Sequence, residues 1–340
     1  MEFNKGLIYK IIDNKIDKIA LGCLTEQKLN TLYNALNLNY SLKELGLPSN
    51  QIEDITLLCK SLKNNSYLKK LGLFNNKIKD ITSLKFLSNS CLNYLELSYN
   101  KIENITPLNF LSNSCIKELI LTNNKIKDIT ALKFLSNSCL QILDLSGNQI
   151  EDITPLKFLS NSCLKELYLN YNKIKDLSPL KFLENSCLEE LHLSENKIED
   201  ITPLKFLSNS SCLLALYLPG NQIKDISPLK FLSNSCLQIL DLSENQIEDI
   251  TPLKFLSNSS LKDLNLSENQ IENITPLKYL SNSCLEQLHL SENKIKDITS
   301  LKFLSNSCLQ KLDLQFNQIN NQDIQKIIEL AKLKQIKLYI

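Results

Sequence analysis

The sequence predicts an α/β solenoid, in which a unit of one short strand and one short helix is stacked repeatedly along the chain. Three observations predict this fold. An Asn recurs every 24 to 26 residues over most of the 340 residues, and the segment before it has the form L-x-x-L-x-L-x-x-N. The segment after it, such as Thr154-Pro155 followed by LKFL, predicts a short helix with Thr154 as the N-cap and Pro155 at the first helical position. Because so short a strand cannot bury its apolar face alone, neighbouring units must stack.

The alternation of side chains predicts the strand. Leu143 and Leu145 alternate with Ile142, Asp144 and Ser146, which is the period of a strand with one buried face. The recurring Asn stands where the chain leaves the strand, and its amide can pair with backbone groups left free there. These residues are Asn50, Asn76, Asn100, Asn124, Asn148, Asn172, Asn196, Asn221, Asn245, Asn269, Asn293 and Asn317.

This pattern resembles the leucine-rich repeat, and NQIEDITPLKFL is similar to its internalin-like and phosphatase-regulator-like subclass. The first units are 26 residues long and resemble the ribonuclease-inhibitor type. The resemblance implies a curved horseshoe with a parallel β-sheet on the concave face and short α or 3₁₀ helices on the convex face. We count about 14 strand rungs.

We expect a single domain over residues 1–340. Residues 1–41 form an N-terminal capping unit, residues 42–317 the central repeats, and residues 318–340 a C-terminal capping helix and strand, because an array must cover its exposed ends. The spacing predicts a first strand in 15–24, a helix over 25–36, a helix in NQDIQKIIELAKL, and a last strand holding Leu333, Ile336 and Leu338.

Two further side chains recur with the repeat. A Phe stands in each LKFL, as at Phe158, and a Cys precedes the first Leu of the strand segment, as at Cys139. We interpret the Phe row as a buried aromatic spine and the Cys row as small buried side chains. Neighbouring rungs are near disulfide distance, so bridges between them are conceivable in an oxidising compartment.

The strand positions that point away from the core vary, whereas the frame is copied, and this contrast predicts a binding face. An aromatic and apolar patch is predicted there, and an acidic patch beside it would attract a basic partner. For the tyrosines, cross-strand stacking is the alternative, and for the acidic residues a merely solvated face or a weak Ca²⁺ site. The acidic patch comprises Glu190, Glu195, Asp241, Glu244, Asp263, Glu268 and Glu292. The residues expected to contact the partner are Tyr94, Tyr99, Ile120, Ile142, Tyr168, Tyr171, His192, Tyr217, Ile239, Asp241, Glu244 and Glu268.

The sequence favours no catalytic site, metal or cofactor. It lacks C-x-x-C, and its six scattered glycines form no phosphate-binding loop. The alternative of another class is a hydrolase that uses His289 and Asp313, which should lie on neighbouring rungs. A net charge of +1 and the absence of Arg argue against nucleic acid, and no apolar run is long enough for membrane insertion.

We therefore predict a non-enzymatic interaction module, an adaptor or regulatory subunit, that binds a protein partner on its concave face. The resemblance also implies protein binding, including binding of phosphatase catalytic subunits and host receptors. We expect a cytoplasmic location, because the N-terminal segment is a poor signal peptide. We also expect a monomer. An exported effector or adhesin that binds a host protein is one alternative, and an array that assembles through its ends is another.

Overall fold

In the computed structural model, the chain divides into two compact units, Met1–Asn172 and Lys173–Ile340. The structure describes residues 2–112, 114–160, 162–184, 186–209, 212–233, 235–257, 259–281, 283–306 and 308–340, with the backbone alone for 209 and 303–306. Each unit holds seven strands of three residues, so the predicted number of 14 is confirmed.

The first unit contains a parallel sheet in which each strand pairs with the next one in sequence. Its strands are β1 (Lys18–Ala20), β2 (Glu44–Gly46), β3 (Lys70–Gly72), β4 (Tyr94–Glu96), β5 (Glu118–Ile120), β6 (Ile142–Asp144) and β7 (Glu166–Tyr168). Its α-helices are α1 (Lys5–Ile12), α2 (Glu26–Leu36) and α3 (Thr56–Leu62). Its 3₁₀ helices are Thr82–Leu87, Thr106–Leu111, Thr130–Leu135 and Thr154–Leu159.

The second unit follows the same plan. Its strands are β8 (Glu190–His192), β9 (Ala215–Tyr217), β10 (Ile239–Asp241), β11 (Asp263–Asn265), β12 (Gln287–His289), β13 (Lys311–Asp313) and β14 (Lys337–Tyr339). Its 3₁₀ helices are Ser178–Leu183, Thr202–Asn209, Ser227–Leu232, Thr251–Leu256, Thr275–Leu280 and Thr299–Asn306, and its one described α-helix is α4 (Asn321–Lys334).

The core of each repeat is built from leucine and isoleucine. In the repeat of β6, Leu140, Leu143, Leu145, Ile150 and Ile153 are at most 1 % exposed. Burying one such side chain contributes roughly 1.5–3 kcal/mol to the stability. The strand is three residues long because only its central side chain points inward, and the chain then turns toward the helix.

The recurring Asn stabilises that turn, as the sequence predicts. The side chain of Asn148 is buried, and its Oδ1 accepts a hydrogen bond from the backbone N–H of Ile126 at 3.0 Å. Its Nδ2 donates to the carbonyl oxygens of Leu121, Leu145 and Ser146 at 2.9–3.2 Å. One amide thus pairs with the preceding repeat and with its own turn, so it sets the relative position of the two repeats.

The start of the 3₁₀ helix is capped differently from our prediction. We expected Thr154 to be the N-cap, but Thr154 is the first residue of the helix, and Ile153 before it makes no side-chain cap. Instead, Oδ1 of Asp152 accepts a hydrogen bond from the backbone N–H of Thr154 at 2.8 Å. Asn104 replaces Asp at this position in another repeat and caps Thr106 in the same way, at 2.9 Å.

The prediction of a buried Phe row is wrong for most of its members. Phe158 is half-buried, and Nζ of Lys157 lies 5.2 Å from its ring centroid. A 3₁₀ helix has three residues per turn, so Leu156 and Leu159 lie on one side and fill the core. Phe158, between them, is turned partly toward solvent. Phe206 is an exception and is buried, and the side chain of Phe303 lies outside the described residues.

The prediction of a buried Cys row is also wrong. Cys139 is exposed, whereas the next residue, Leu140, is fully buried. In an extended backbone, successive side chains point to opposite sides. Because Leu140 occupies the core, the thiol before it points outward.

At the chain ends, the predicted capping helices are present. Thr25 caps α2 through its hydroxyl, and Asn320 caps α4. We missed α1, whose Leu7 and Ile11 are buried and whose last turn is held by Asn39, which donates to the carbonyl oxygen of Ile11 at 2.7 Å. Leu333 was wrongly placed in the last strand, since it belongs to α4 and is 78 % exposed.

Candidate protein-binding face

Each strand directs two side chains away from the core, one on either side of its buried central residue. We call the surface formed by these paired positions the strand face. In β6 they belong to Ile142 and Asp144, which are half-buried around the buried Leu143. The copied frame therefore presents two variable side chains per repeat, at positions fixed by the strand register.

In the first unit, the register separates side chains that the sequence suggested would form one apolar patch. One column of the strand face contains Tyr94, Glu118, Ile142 and Glu166 on consecutive strands. The other column contains Glu96, Ile120, Asp144 and Tyr168. Tyrosine and isoleucine therefore alternate with carboxylates, and this part of the strand face is both apolar and acidic.

The tyrosine hydroxyls of this unit donate to carboxylates on their own strands. The Tyr94 hydroxyl donates to Glu96 Oε2 at 3.0 Å, and that of Tyr168 donates to Glu166 Oε2 at 2.8 Å. Burial, followed by the negative charge of Glu96, raises the pKa of Tyr94 to about 12. Each tyrosine hydroxyl is thus held by a carboxylate two residues away on its own strand.

Tyr99 and Tyr171 do not lie on the strand face. They occupy the turn after the strand, directly before the buried Asn of their repeats, Asn100 and Asn172, in a left-handed backbone conformation with φ of 55° and 52°. We call this position, which Asn123 and Gly147 fill in two other repeats, the turn row. Tyr99 and Tyr171 are 51 % and 63 % exposed, and the Tyr99 ring contacts Phe74 edge-on with 5.2 Å between centroids.

In the second unit, the rings of His192 and Tyr217 stack on neighbouring strands. Their centroids are 4.3 Å apart and the ring planes differ by 15°. His192 Nε2 lies 3.1 Å from Glu190 Oε2. Burial, and then the charge of Glu190, raises the pKa of Tyr217. Ile239, in the column beside these rings, is half-buried.

The acidic residues of the second unit fall into two groups. Asp241 is on the strand face, where Oδ1 accepts from the Ser243 backbone N–H at 2.9 Å and Oδ2 from Asn265 Nδ2 at 3.2 Å. Glu244 and Glu268 are in the turn row, exposed, with φ of 53°. Burial raises the pKa of Glu268, as do the charges of Glu244 and Glu292.

Several residues of the strand face were missed by the sequence reasoning. Glu96, Glu118, Asp144 and Glu166 were overlooked because we grouped residues by type instead of by register. Phe74, which follows β3 and is 40 % exposed, was also missed, because only its ring contact with Tyr99 identifies it as part of this surface. At the last strand, the register pairs Lys337 with Lys311 and Tyr339 with Asp313.

The alternative catalytic pair is only partly brought together. His289 and Asp313 are register partners on β12 and β13, as expected. The His289 Nε2, however, lies 3.8 Å from Asp263 Oδ1 on the opposite neighbour. Within the described ranges, His289 makes no hydrogen bond to a hydroxyl or thiol that could act as a nucleophile, and no group of three or more metal-ligating side chains is found.

Comparison with known proteins agrees with this architecture. The family described as "Leucine rich repeat" matches residues 114–174, 138–198, 162–223, 211–271 and 235–294, which together span more than half of the chain. A second description of the same repeat matches 88–105 and 305–327. The chain belongs to the leucine-rich-repeat family. Comparison with curated protein sequences gives no significant match.

Among solved structures, this leucine-rich-repeat protein is similar to the internalin inlF of Listeria monocytogenes. The two are 32 % identical with a TM-score of 0.74, and the match covers 98 % of this chain and 88 % of that chain. A leucine-rich-repeat protein of Leptospira interrogans shares the fold at 21 % identity and a TM-score of 0.65, over 96 % of this chain and 90 % of that chain.

A plant structure shares the fold as well. The ectodomain of the Arabidopsis thaliana receptor kinase GASSHO1/SCHENGEN3, in complex with CASPARIAN STRIP INTEGRITY FACTOR 2, is 22 % identical with a TM-score of 0.59. That match covers 96 % of this chain and 44 % of the plant chain. In the described part of this chain, no helix is both long and apolar enough to cross a membrane.

Proposed function

We propose that this leucine-rich-repeat protein is a non-enzymatic interaction module, an adaptor or regulatory subunit, that binds a protein partner through the strand face and the turn row. The partner presents basic and apolar side chains. This proposal rests on one observation above all, the alternation of ordered tyrosine and isoleucine with carboxylates in the first unit.

The chemistry of that alternation favours a protein ligand. Tyrosine buries a large area on binding and loses few rotatable bonds, so it is a frequent anchor at protein interfaces. Four carboxylates on adjacent strands, Glu96, Glu118, Asp144 and Glu166, repel one another, and Lys or Arg side chains of a partner relieve that repulsion. A complementary partner therefore gains both apolar burial and charge pairing.

The frame also suits binding. The Asn ladder and the leucine core hold each strand at a fixed register, so the side chains of the strand face are ordered before the partner arrives. Preorganisation lowers the entropic cost of association. The exposed Tyr99 and Tyr171 extend the same surface along the turn row of the first unit.

Cross-strand packing is the competing explanation for the tyrosines. It accounts for Tyr94 and Tyr168, whose rings are half-buried and whose hydroxyls are hydrogen-bonded. It does not account for Tyr171, which is 63 % exposed in a left-handed turn where a smaller residue such as Gly147 suffices. A side chain of this size at such a position is more simply explained by binding.

The test is affinity capture from the cells that express the protein, followed by mass spectrometry. The Tyr168→Ala/Tyr171→Ala variant removes rings of the proposed site, and the Glu118→Lys/Glu166→Lys variant reverses its charge. Matched controls are Tyr67→Ala, which removes an exposed tyrosine outside the site, and Glu103→Lys, which reverses an exposed charge in the loop after β4.

We expect a partner that both controls retain and both site variants lose, with circular dichroism showing that all four are folded. Purified partner should then bind wild type more weakly as salt is raised, because charge pairing is screened. A partner that folded site variants bind as well as wild type contradicts the proposed site. Such a result reduces the tyrosines to cross-strand packing.

We also propose a cytoplasmic location, in which the eleven cysteines stay reduced. Cytosolic reductants keep thiols reduced, whereas exported proteins tend to form disulfides. Thiols counted by rapid alkylation in denaturant, without prior reduction, should number eleven. Disulfides in the freshly isolated protein would instead favour the exported effector or adhesin.

A further inference from the structure

One row of side chains takes no part in the proposed binding face. On four consecutive repeats of the first unit, a cysteine stands directly before the first buried Leu or Ile of the strand segment. These are Cys91, Cys115, Cys139 and Cys163. The second unit carries Cys187, Cys212, Cys236, Cys284 and Cys308, with Ser260 in the gap. All are exposed except Cys212, which is half-buried. We call these nine residues the thiol row.

The thiol row is held in register by the sheet. Two residues beyond Cys139, the backbone N–H of Gln141 donates to the Lys117 carbonyl oxygen at 2.8 Å, and Lys117 is two residues beyond Cys115. The residues directly after these thiols, Ile116 and Leu140, are fully buried. Backbone pairing on one side and core packing on the other therefore place Cys115 and Cys139 at equivalent positions of neighbouring repeats.

That placement matches the dimensions of a disulfide. Adjacent strands of a sheet lie about 4.8 Å apart, and two cysteines can be joined when their Cα atoms are roughly 4.4–6.8 Å apart. Side chains at equivalent positions of neighbouring repeats point the same way, so their sulfur atoms face a common strip of solvent. Both thiols of a pair are open to a small oxidant.

We propose that the thiol row is a modification site at which a peroxide joins neighbouring cysteines in pairs as disulfides. One thiolate attacks an oxygen of hydrogen peroxide and the O–O bond breaks, so that cysteine becomes a sulfenic acid and hydroxide leaves, which takes up the proton lost by the thiol to form water. The neighbouring thiolate attacks the sulfenic sulfur, so the S–S bond forms and the S–O bond breaks, and the leaving hydroxide takes up the proton lost by this second thiol to form a second water. Two thiols lose two electrons, and the peroxide accepts them.

The pair Cys284 and Cys308 is the sharpest case. Their strands pair with Gln287 opposite Lys311, and the backbone N–H of Gln310 donates to the Glu286 carbonyl oxygen at 2.8 Å. On the other side of Cys284 stands Ser260, so Cys308 is its one neighbour in the thiol row. The remaining two cysteines serve as references, because Cys59 is buried and Cys23 is exposed but outside the row.

The experiment treats the full, fully reduced chain at low concentration with hydrogen peroxide, blocks remaining thiols by alkylation and maps the peptides by mass spectrometry. Within each unit, we expect intramolecular cross-links between adjacent members of the thiol row, including Cys284 to Cys308, each with the loss of two hydrogens and each reversed by dithiothreitol. Cys59 should stay a thiol, and Cys23 should enter no cross-link within the chain.

Two variants make the outcome specific to the row. In Cys308→Ser, Cys284 should form no cross-link and should gain oxygen or remain a thiol, while the bridges of the first unit still form. In Ser260→Cys, new cross-links from residue 260 to Cys236 or Cys284 should appear. Both substituted positions are exposed, so the circular dichroism spectra of the two variants should match that of wild type.

The proposal is overturned if the thiol-row cysteines only gain oxygen atoms without cross-linking, or if they cross-link only between molecules. It is also overturned if Cys23 pairs as readily as the members of the row. Bridging should raise the midpoint of urea unfolding, because each bridge ties two consecutive repeats of the unfolded chain together. This rise should vanish after reduction, which separates cross-linking from other oxidative change.

Discussion

The imidazole of His192 lies flat against the ring of Tyr217, with centroids 4.3 Å apart and ring planes that differ by 15°. The two residues belong to β8 and β9, so the contact joins neighbouring strands of the second unit. Glu190, 3.1 Å from the imidazole Nε2, holds that ring in place. An aromatic pair of this kind stabilises the sheet and presents a flat apolar surface.

We predict that His192→Ala lowers the free energy of unfolding by about 1 kcal/mol, because an aromatic pair contributes roughly 0.5–1.5 kcal/mol beyond the burial of its area. Urea unfolding followed by circular dichroism measures the change. His289→Ala is the matched control, since His289 makes a 3.8 Å contact to Asp263 instead of a stacked pair. An equal loss of unfolding free energy in both variants would mean that the stacked contact contributes nothing beyond the burial of a histidine side chain.

The Asn ladder should be the most sensitive polar element of the frame. Asn148→Ala leaves the backbone N–H of Ile126 without its partner in a buried turn. The three carbonyl oxygens that accept from Asn148 each keep a second donor, namely Asn124 Nδ2, Asn172 Nδ2 and the Asn123 backbone N–H. A buried group left unpaired costs about 1–3 kcal/mol, and the three lost hydrogen bonds add to that cost, so we expect a loss of about 2–3 kcal/mol. Asn109→Ala, at an exposed position of a 3₁₀ helix, should change stability by less than about 0.5 kcal/mol.

Asp152 should make the stability depend on acid pH. Hydrogen bonds from the Thr154 hydroxyl and backbone N–H, with Lys157 nearby, hold the pKa of Asp152 below its ordinary value of 3.8. A carboxyl with a depressed pKa stabilises the fold above its unfolded pKa. That stabilisation is lost as the pH falls from about 4 through the lower, folded pKa.

We predict that Asp152→Ala costs about 1 kcal/mol at neutral pH, the usual cost of losing a helix cap. Asp152→Asn should keep the cap, as Asn104 does naturally, but should lose the acid dependence of that one site. Urea midpoints measured from pH 7 to pH 2.5 distinguish the two effects. An Asn variant that loses as much stability as Ala at pH 7 would show that charge, not hydrogen bonding, carries the cap.

The prediction of one domain over residues 1–340 can be tested by unfolding. Stacked repeats gain stability from their neighbours, so the repeats of an uninterrupted array should unfold together in one cooperative transition. We expect coincident urea curves from circular dichroism and from tyrosine fluorescence, the chain having no Trp. Two separate transitions, together with preferential protease cleavage near Asn172 in limited proteolysis, would instead indicate two domains.

The periodic part of the sequence was sufficient to predict the frame. Leu143 and Leu145 at a spacing of two, the Asn at a spacing of 24 residues and Pro at the helix start each follow from local geometry that every repeat must satisfy. Because the same solution is copied, twelve weak local signals reinforce one another. The strand count, the role of Asn148 and the capping helices α2 and α4 could therefore be predicted.

The predictions that failed concern the direction in which a side chain points. Cys139 and Phe158 recur as regularly as the leucines, and regularity alone suggested that they were buried. Whether a recurring apolar side chain faces the core depends on the backbone next to it. Leu140 points into the core, so Cys139 before it points outward. In the 3₁₀ helix, the three-residue turn directs Leu156 and Leu159 into the core and leaves Phe158 turned partly toward solvent.

By itself, the sequence determined the repeat, its strand and helix, the leucine core and the variability of the outward positions. Only the tertiary structure decided which variable side chains are neighbours. The strand register puts Glu118 between Tyr94 and Ile142, and it brings His192 onto Tyr217, residues 25 positions apart in the chain. The reason is physical: periodicity is a local property, whereas contact across strands depends on how successive repeats align, and the buried Asn ladder sets that alignment.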